Sequence, residues 1–364
     1  MTKRVARCPV GARVVAGQIA LALLALAGIA RADAPSGAQG WVGQVGTSDD
    51  DQGLRLETIG YKLAQANATR CGKPEMMTGL MLHNIGGYDE VERVALRQAY
   101  DLTNGFGVLH VVPRSTAALA GVAEGDEIVA VNGLDLAGFA QDSVGKLGSY
   151  DRTERFVAHL NQTLVHGPAI LDIRRGSSRI RVLIQGEKGC GGRFALLHRN
   201  AINAWSDGRY VAVTDKMMAG TPDDNELAFV IAHEMSHNIL PHAAQNRGVS
   251  RLLLQFGIGA EKTKASEIEA DRLAVELMAS AGFDLAAPER LLRRSAKARW
   301  LDLPITHPGI SRRIQIVRAA LAQLAGSRTG PETRRLAVGA TTTAWVEPTA
   351  TGQDRSPTPR PVQN

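Results

Sequence analysis

Residues 233–237 read His-Glu-Met-Ser-His, and it is the spacing that gives these residue types a chemistry. Four residues advance an α-helix by little more than one turn, so His233 and His237 share a face and both imidazoles can reach one divalent ion. Glu234 falls on the flank, placed to take a proton from a water at that ion without ligating it. Two imidazoles leave the set incomplete, because a hydrolytic zinc takes three protein ligands and keeps a fourth position open. Glu267, thirty residues beyond His237, supplies the third. Glu269, roughly 200° around the helical period from Glu267, is the alternative. Asp271 stands at i+4 from Glu267, where it could accept a hydrogen bond from the second ring nitrogen of a ligand imidazole and so fix its tautomer. The competing reading of 267–271 is a solvated acidic helix, against which Leu273, Leu277 and Met278 lay down the apolar stripe of a packed one.

These groups need a helix that starts and stops in the right places. Thr221-Pro222-Asp223-Asp224 predicts a start, with Thr221 as cap, Pro222 in the first turn, where its missing N–H costs nothing, and two acids at the positive end of the dipole. Pro241 predicts a kink or an end soon after His237, which leaves His242 with a structural role at least as readily as a functional one. Upstream, Asp207-Gly208 reads as a hairpin turn leading into a strand at 210–214. Leu56, Ile59 and Leu63 mark an early helix, and Val91, Val94 and Ala95 a second one entered from Asp89. From Gly105 the period changes to two. Strands are predicted at 108–112 and 127–131, the latter ending in an Asn132-Gly133 turn, and Ile180, Val182 and Ile184 alternate with Arg179 and Arg181. Phe156, Leu160 and Leu164 recur at helical spacing inside this β-rich stretch.

At 364 residues and 44% hydrophobic content the chain is long enough for two to three domains with proper cores. Its net charge of +6 does not describe a nucleic-acid face. Five of the 42 Lys and Arg residues (Lys3, Arg4, Arg7, Arg13, Arg31) lie in residues 1–32, where there is no acid, so 37 bases face 36 acids in the remainder. With aromatics at only 4%, stacking platforms for single strands are scarce too. The early bases precede an apolar run at 14–30, and Ala30-Arg31-Ala32 then offers a small-x-small cleavage pattern. This predicts a cleaved secretory signal over 1–32, with a retained membrane anchor as the alternative. Loss of Cys8 with that segment would leave Cys71 and Cys190 as an even pair in an oxidising compartment, either disulfide-bonded or as two thiols. Beyond about residue 326 the composition turns to Thr, Pro and Gly, and 327–364 reads as a disordered tail.

Two resemblances sharpen this reading. The stretch 114–133, RSTAALAGVAEGDEIVAVNG, resembles the core of a bacterial PDZ domain. That likeness implies a β-rich PDZ domain at 103–187. Its carboxylate-binding loop and first strand would lie at Gly105, Phe106, Gly107 and Val108, and a peptide groove would run between the strand at 108–112 and the helix at 153–164. The alternative is a PDZ fold used as a spacer or lid. Residues 233–242, HEMSHNILPH, and 266–272, SEIEADR, resemble the two metal-binding helices of the HtpX, BepA and CAAX prenyl endopeptidase family of zinc metallopeptidases. Asn203-Ala204, Asn225-Glu226-Leu227-Ala228, Thr306-His307-Pro308 and Arg313 extend the match. The resemblance implies His233, His237 and Glu267 as ligands of one zinc ion, Glu234 as general base, and His307 as a capping fourth ligand or an oxyanion partner. It also implies a substrate strand added beside 210–214, and places Asp271 and Arg313 behind the ligands.

Together these imply an α+β protein. A mostly helical, zincin-like metallopeptidase domain with a small sheet would occupy 188–326, preceded by the PDZ domain and by an N-terminal helical segment at 33–102. The function implied is an exported zinc metalloendopeptidase of the periplasm or envelope, serving protein quality control or regulated proteolysis. Its partners would be protein or peptide substrates and a C-terminal peptide in the PDZ groove. Nucleic acid is not expected, and membrane contact follows only if 14–30 is retained. The alternative is a PDZ-bearing binding or chaperone-like protein with a latent or structural zinc site.

Overall fold

The computed structural model describes residues 47–88, 93–94, 97, 102–103, 105–140, 151–240, 260–298 and 308–328. The expected signal segment, His242, His307 and the tail past Arg328 lie outside the described residues. The chain divides into Met1–Ala320 and Leu321–Asn364. Its elements are α1 (Thr47–Ala66), β1 (Pro74–Met77), β2 (Leu80–His83), β3 (Phe106–Val111), α2 (Thr116–Leu119), β4 (Glu127–Val131), β5 (Leu134–Asp135) and α3 (Asp151–Val165). Then come β6 (Ala169–Arg175), β7 (Ser178–Ile184), β8 (Glu187–Cys190), β9 (Arg193–Leu197), β10 (Ala204–Ser206) and β11 (Tyr210–Thr214). The helices α4 (Asp215–Gly220), α5 (Asp224–Ile239), α6 (Ala260–Ser280), α7 (Ala287–Ala298) and α8 (Ile310–Arg328) complete the order.

Leu56, Ile59 and Leu63 bury one face of α1, as their spacing predicts. That face lies on β9, and the close approach is made possible by Gly60: a Cβ there would stand 2.5 Å from the Phe194 ring. β9 runs parallel to β11, and β11 is antiparallel to β10, giving a three-stranded sheet in the order β10-β11-β9. The Asp207-Gly208 turn forms as expected, with Gly208 at φ 95° and Asp207 Oδ1 accepting from the amides of Arg209 and Tyr210. The strand at 210–214 is therefore paired on both sides, and the edges of this sheet are β10 and β9.

Between α1 and β9 the chain leaves through β1 and returns through β8. These two stems pair antiparallel, with Pro74 opposite Cys190. A Cys71–Cys190 disulfide, its Cα atoms 5.4 Å apart, closes them. The inserted module is a six-stranded sheet ordered β2-β3-β4-β6-β7, with β5 on β4. Phe156, Leu160 and Leu164 of α3 are buried against it, and Phe156 stacks on Phe106 with ring centroids 4.1 Å apart. Asn132 and Gly133, both at positive φ, make the tight turn from β4 to β5. The sheet begins at Leu80, upstream of the expected boundary at 103. Of the second predicted helix, Arg93, Val94 and Arg97 are described; they are helical, and Val94 is exposed. No helix of the described residues is long and apolar enough to cross a membrane.

Candidate metal centre

The helix that carries His233 and His237 starts two residues later than the sequence suggests. Its N-cap is Asp223, whose Oδ1 accepts from the amides of Asn225 (2.8 Å) and Glu226 (3.2 Å). Thr221 is otherwise engaged, donating its hydroxyl to the Met217 carbonyl at the end of α4, so Pro222 precedes the cap rather than filling the first turn. A carboxylate at the positive end of the dipole satisfies two orphan amides at once, which a hydroxyl already committed elsewhere cannot do. Arg55 of α1 holds this end in place through Asp224 (2.6 Å) and the Thr221 carbonyl (2.9 Å). At the other end α5 stops at Ile239, and Leu240 turns extended (φ −78°, ψ 145°), the conformation that a following proline requires.

On α6, Ala270, Ala274 and Leu277 are fully buried and the helix packs on α5. That contact brings Glu267 to the histidine face. Glu267 Oε2 lies 3.1 Å from His233 Nε2, Glu267 Oε1 lies 3.4 Å from His237 Nε2, and the two Nε2 atoms are 3.4 Å apart. The three residues offer ligand atoms all within 4.8 Å of one another. Glu269 is exposed, so the alternative ligand is set aside. Two imidazole nitrogens facing each other and a carboxylate at this range need a proton or a cation between them. Two nitrogens and one oxygen are a donor set that fits zinc.

Behind these three candidate ligands lies a second layer. His233 Nδ1 is 3.0 Å from Asp271 Oδ1, and Arg313 donates to both oxygens of Asp271, Nε at 2.9 Å and Nη2 at 2.6 Å. Burial raises the Asp271 carboxyl, but the charge and hydrogen bonds of Arg313 and the bond from His233 hold it down to about 2. Burial pushes the His233 imidazole down, and hydrogen bonds and charge from Asp271 and Glu267 more than reverse this, up to about 10. The carboxylates around His233 thus favour a positive charge at this point, which a proton or a metal ion could supply.

Glu234 stands beside the ligands, its Oε2 accepting from the Ser206 hydroxyl at 3.1 Å. Asn238, at i+4 from Glu234, donates to the Tyr210 carbonyl (3.2 Å) and accepts from the Gly208 amide (2.6 Å), which pins the β10–β11 hairpin to α5. Neither Ser206 nor Asn238 was singled out from the sequence. Helical spacing puts Asn238 on the face of Glu234, but nothing local says that this face meets a hairpin.

The four residues expected to form a peptide-binding loop lie elsewhere and cannot do so. The Gly105 amide is taken by Glu127 Oε1 at 2.8 Å, Phe106 is in the core, Gly107 lies between β2 and β4, and the Val108 amide donates to the Asp126 carbonyl. β3 is flanked on both sides, because an earlier strand, β2, occupies the edge that the sequence left open. It is β2 and α3 that enclose a cleft of about 140 Å³, whose walls also include Arg193 of β9 and Tyr210 of β11. The overlooked signal is Gly79, at φ 76°, followed by an apolar run Leu80-Met81-Leu82.

No curated protein matches the chain. Among solved structures it is similar to the HtrA3 PDZ domain bound to a phage-derived ligand (FGRWV), at 22% identity and TM-score 0.24, over 33% of this chain and 93% of that one. Residues 189–265 and 254–321, which hold every group of the metal centre described above, match the family model of Peptidase family M48, a family of metallopeptidases.

Proposed function

We propose that this chain is an exported zinc metalloendopeptidase that hydrolyses protein substrates in the cell envelope, with the inserted module acting as a PDZ-like groove for them. The observation that carries the reading is the convergence of His233, His237 and Glu267 within 4.8 Å. Glu234 beside them is oriented by Ser206. His233, His237 and Glu267 would hold the ion; bound there, zinc supplies a Lewis acid that polarises a carbonyl and lowers the pKa of a water. Glu234 takes the proton from the attacking water and returns it to the departing amine. Asp271 fixes the His233 ring, and Arg313 keeps Asp271 ionised. β10, an edge strand whose Ser206 touches Glu234, offers an extended substrate a strand to pair with beside the base. Export rests on the basic, apolar and small-residue pattern of residues 1–32.

The test is purified parent, Glu234→Gln and His237→Ala protein assayed for zinc content and for cleavage of an unfolded protein. Glu234→Gln is expected to keep its zinc and lose cleavage, while His237→Ala loses both. Cleavage by Glu234→Gln at the parent rate would overturn the reading. N-terminal sequencing of the mature protein tests export: a start near Asp33 supports it, and a retained Met1 contradicts cleavage.

A further inference from the structure

We propose that the cleft between β2 and α3 takes an extended peptide segment bearing a basic side chain, and that Glu57 and Glu75 select it. This deepens the groove reading above and rests on it.

Three observations lead there. β2 ends its sheet, so its outer edge can accept an added strand. The cleft beside it is lined by apolar groups, among them Met76, Leu80, Val157 and Leu160, which suit the alternate side chains of such a strand. The charged groups of the cleft are Glu57, Glu75, Glu154 and Arg193, and they do not balance. Glu154 is ion-paired with Arg193 (3.2 Å) and Arg209 (3.2 Å) and accepts from the Tyr210 hydroxyl. Arg193 is thereby committed. Glu57 and Glu75 make no hydrogen bond or ion pair among the described residues.

A carboxyl facing an apolar cleft without a partner is costly when ionised. Glu57 responds as that cost requires: burial raises it to about 8, and Arg193 lowers it only in part. A cation brought by the ligand would relieve the cost through charge-assisted hydrogen bonds. A free C-terminal carboxylate would instead meet two carboxyls and a guanidinium already ion-paired with Glu154, so the cleft offers it no uncommitted cation. The occupant that fits is an internal basic segment rather than an acidic chain end.

The experiment is fluorescence anisotropy with the full chain carrying Glu234→Gln, so that binding is read without cleavage. The probes are short extended peptides, identical but for Lys, Gln or Glu at one central position, each with a free or an amidated C-terminus. The Lys peptide is expected to bind about tenfold tighter than the Glu peptide, with amidation changing affinity by less than about twofold. Glu57→Gln with Glu75→Gln should erase that preference, and Glu75→Lys alone, on a partly exposed side chain, should reverse it while the thermal melt is kept. Equal or tighter binding of the Glu peptide, or binding lost on amidation, would overturn the inference and leave the groove intact. Failure of every peptide to bind would overturn the groove as well. In either case zinc content and cleavage by protein with Glu234 intact would be untouched, which separates this failure from failure of the peptidase reading.

Discussion

In the candidate metal centre, the side chains that converge lie one helical turn apart: His233 and His237 on α5, Glu267 and Asp271 on α6. In the inserted module the property that matters is which strand edge is left open, and that depends on a strand contributed from more than twenty residues upstream of β3. Helical spacing is a local property, so the first region can be read residue by residue. An open edge belongs to the whole sheet, and one additional strand moves it. The two regions therefore fail differently when altered: the first through single charged groups, the second through its stems and its cleft.

The largest effect is expected from Glu234→Gln, which should lower cleavage by a factor on the order of 10² to 10⁴ with zinc retained. A steady-state assay beside elemental analysis reads both. Next is Arg313→Leu. It leaves the Asp271 carboxylate buried without its guanidinium, and should cost about 3–5 kcal/mol in denaturant unfolding and weaken zinc binding about 10- to 100-fold. In the inserted module, Cys71→Ser with Cys190→Ser opens a closure across 119 residues and should cost about 2–4 kcal/mol. If the two regions are as separable as the comparison holds, the zinc affinity of the folded double variant is unchanged. Gly60→Ala is smaller. Its Cβ meets the Phe194 ring, and the overpacking cost of about 1–3 kcal/mol should outweigh the roughly 1 kcal/mol of helix propensity gained.

The last prediction concerns pH. Burial raises Glu57 in the folded protein to about 8 from its ordinary value of 4.5, so between those values the folded state binds more protons than the unfolded one. Its contribution to stability is complete below about 4.5 and is lost as pH rises through about 8. Glu57→Gln should flatten the fall in melting temperature across that window. An unchanged slope would show that the cleft does not desolvate this group.

The grouping of His233, His237 and Glu267, the place of Glu234 and Asp271 beside them and the early helix were legible because each rests on helical period and residue chemistry, whereas Arg313 was reached only through the family resemblance. The start of α5 was misplaced by two residues, since the choice between Thr221 and Asp223 depended on the Met217 carbonyl that claims the Thr221 hydroxyl. The strand at 210–214 was visible from its Val and Thr content, but not that β9 and β10 would take both of its sides. For the same reason Gly105 to Val108 looked like a carboxylate-binding loop beside an open strand edge. Their amides are claimed by Glu127 and by neighbouring strands, and neither is apparent from the local sequence. Ser206 and Asn238 were missed because their partners lie 28 and 30 residues away in the chain.

The claim on which all this depends is that two imidazoles and a carboxylate grip a single ion. X-ray absorption spectroscopy at the zinc edge, on protein prepared without added metal, tests it most directly. The account predicts one zinc per chain coordinated by two imidazole nitrogens and an oxygen set that changes on Glu267→Ala. A chain that holds no stoichiometric zinc, or one whose zinc spectrum is the same with and without Glu267, would contradict it.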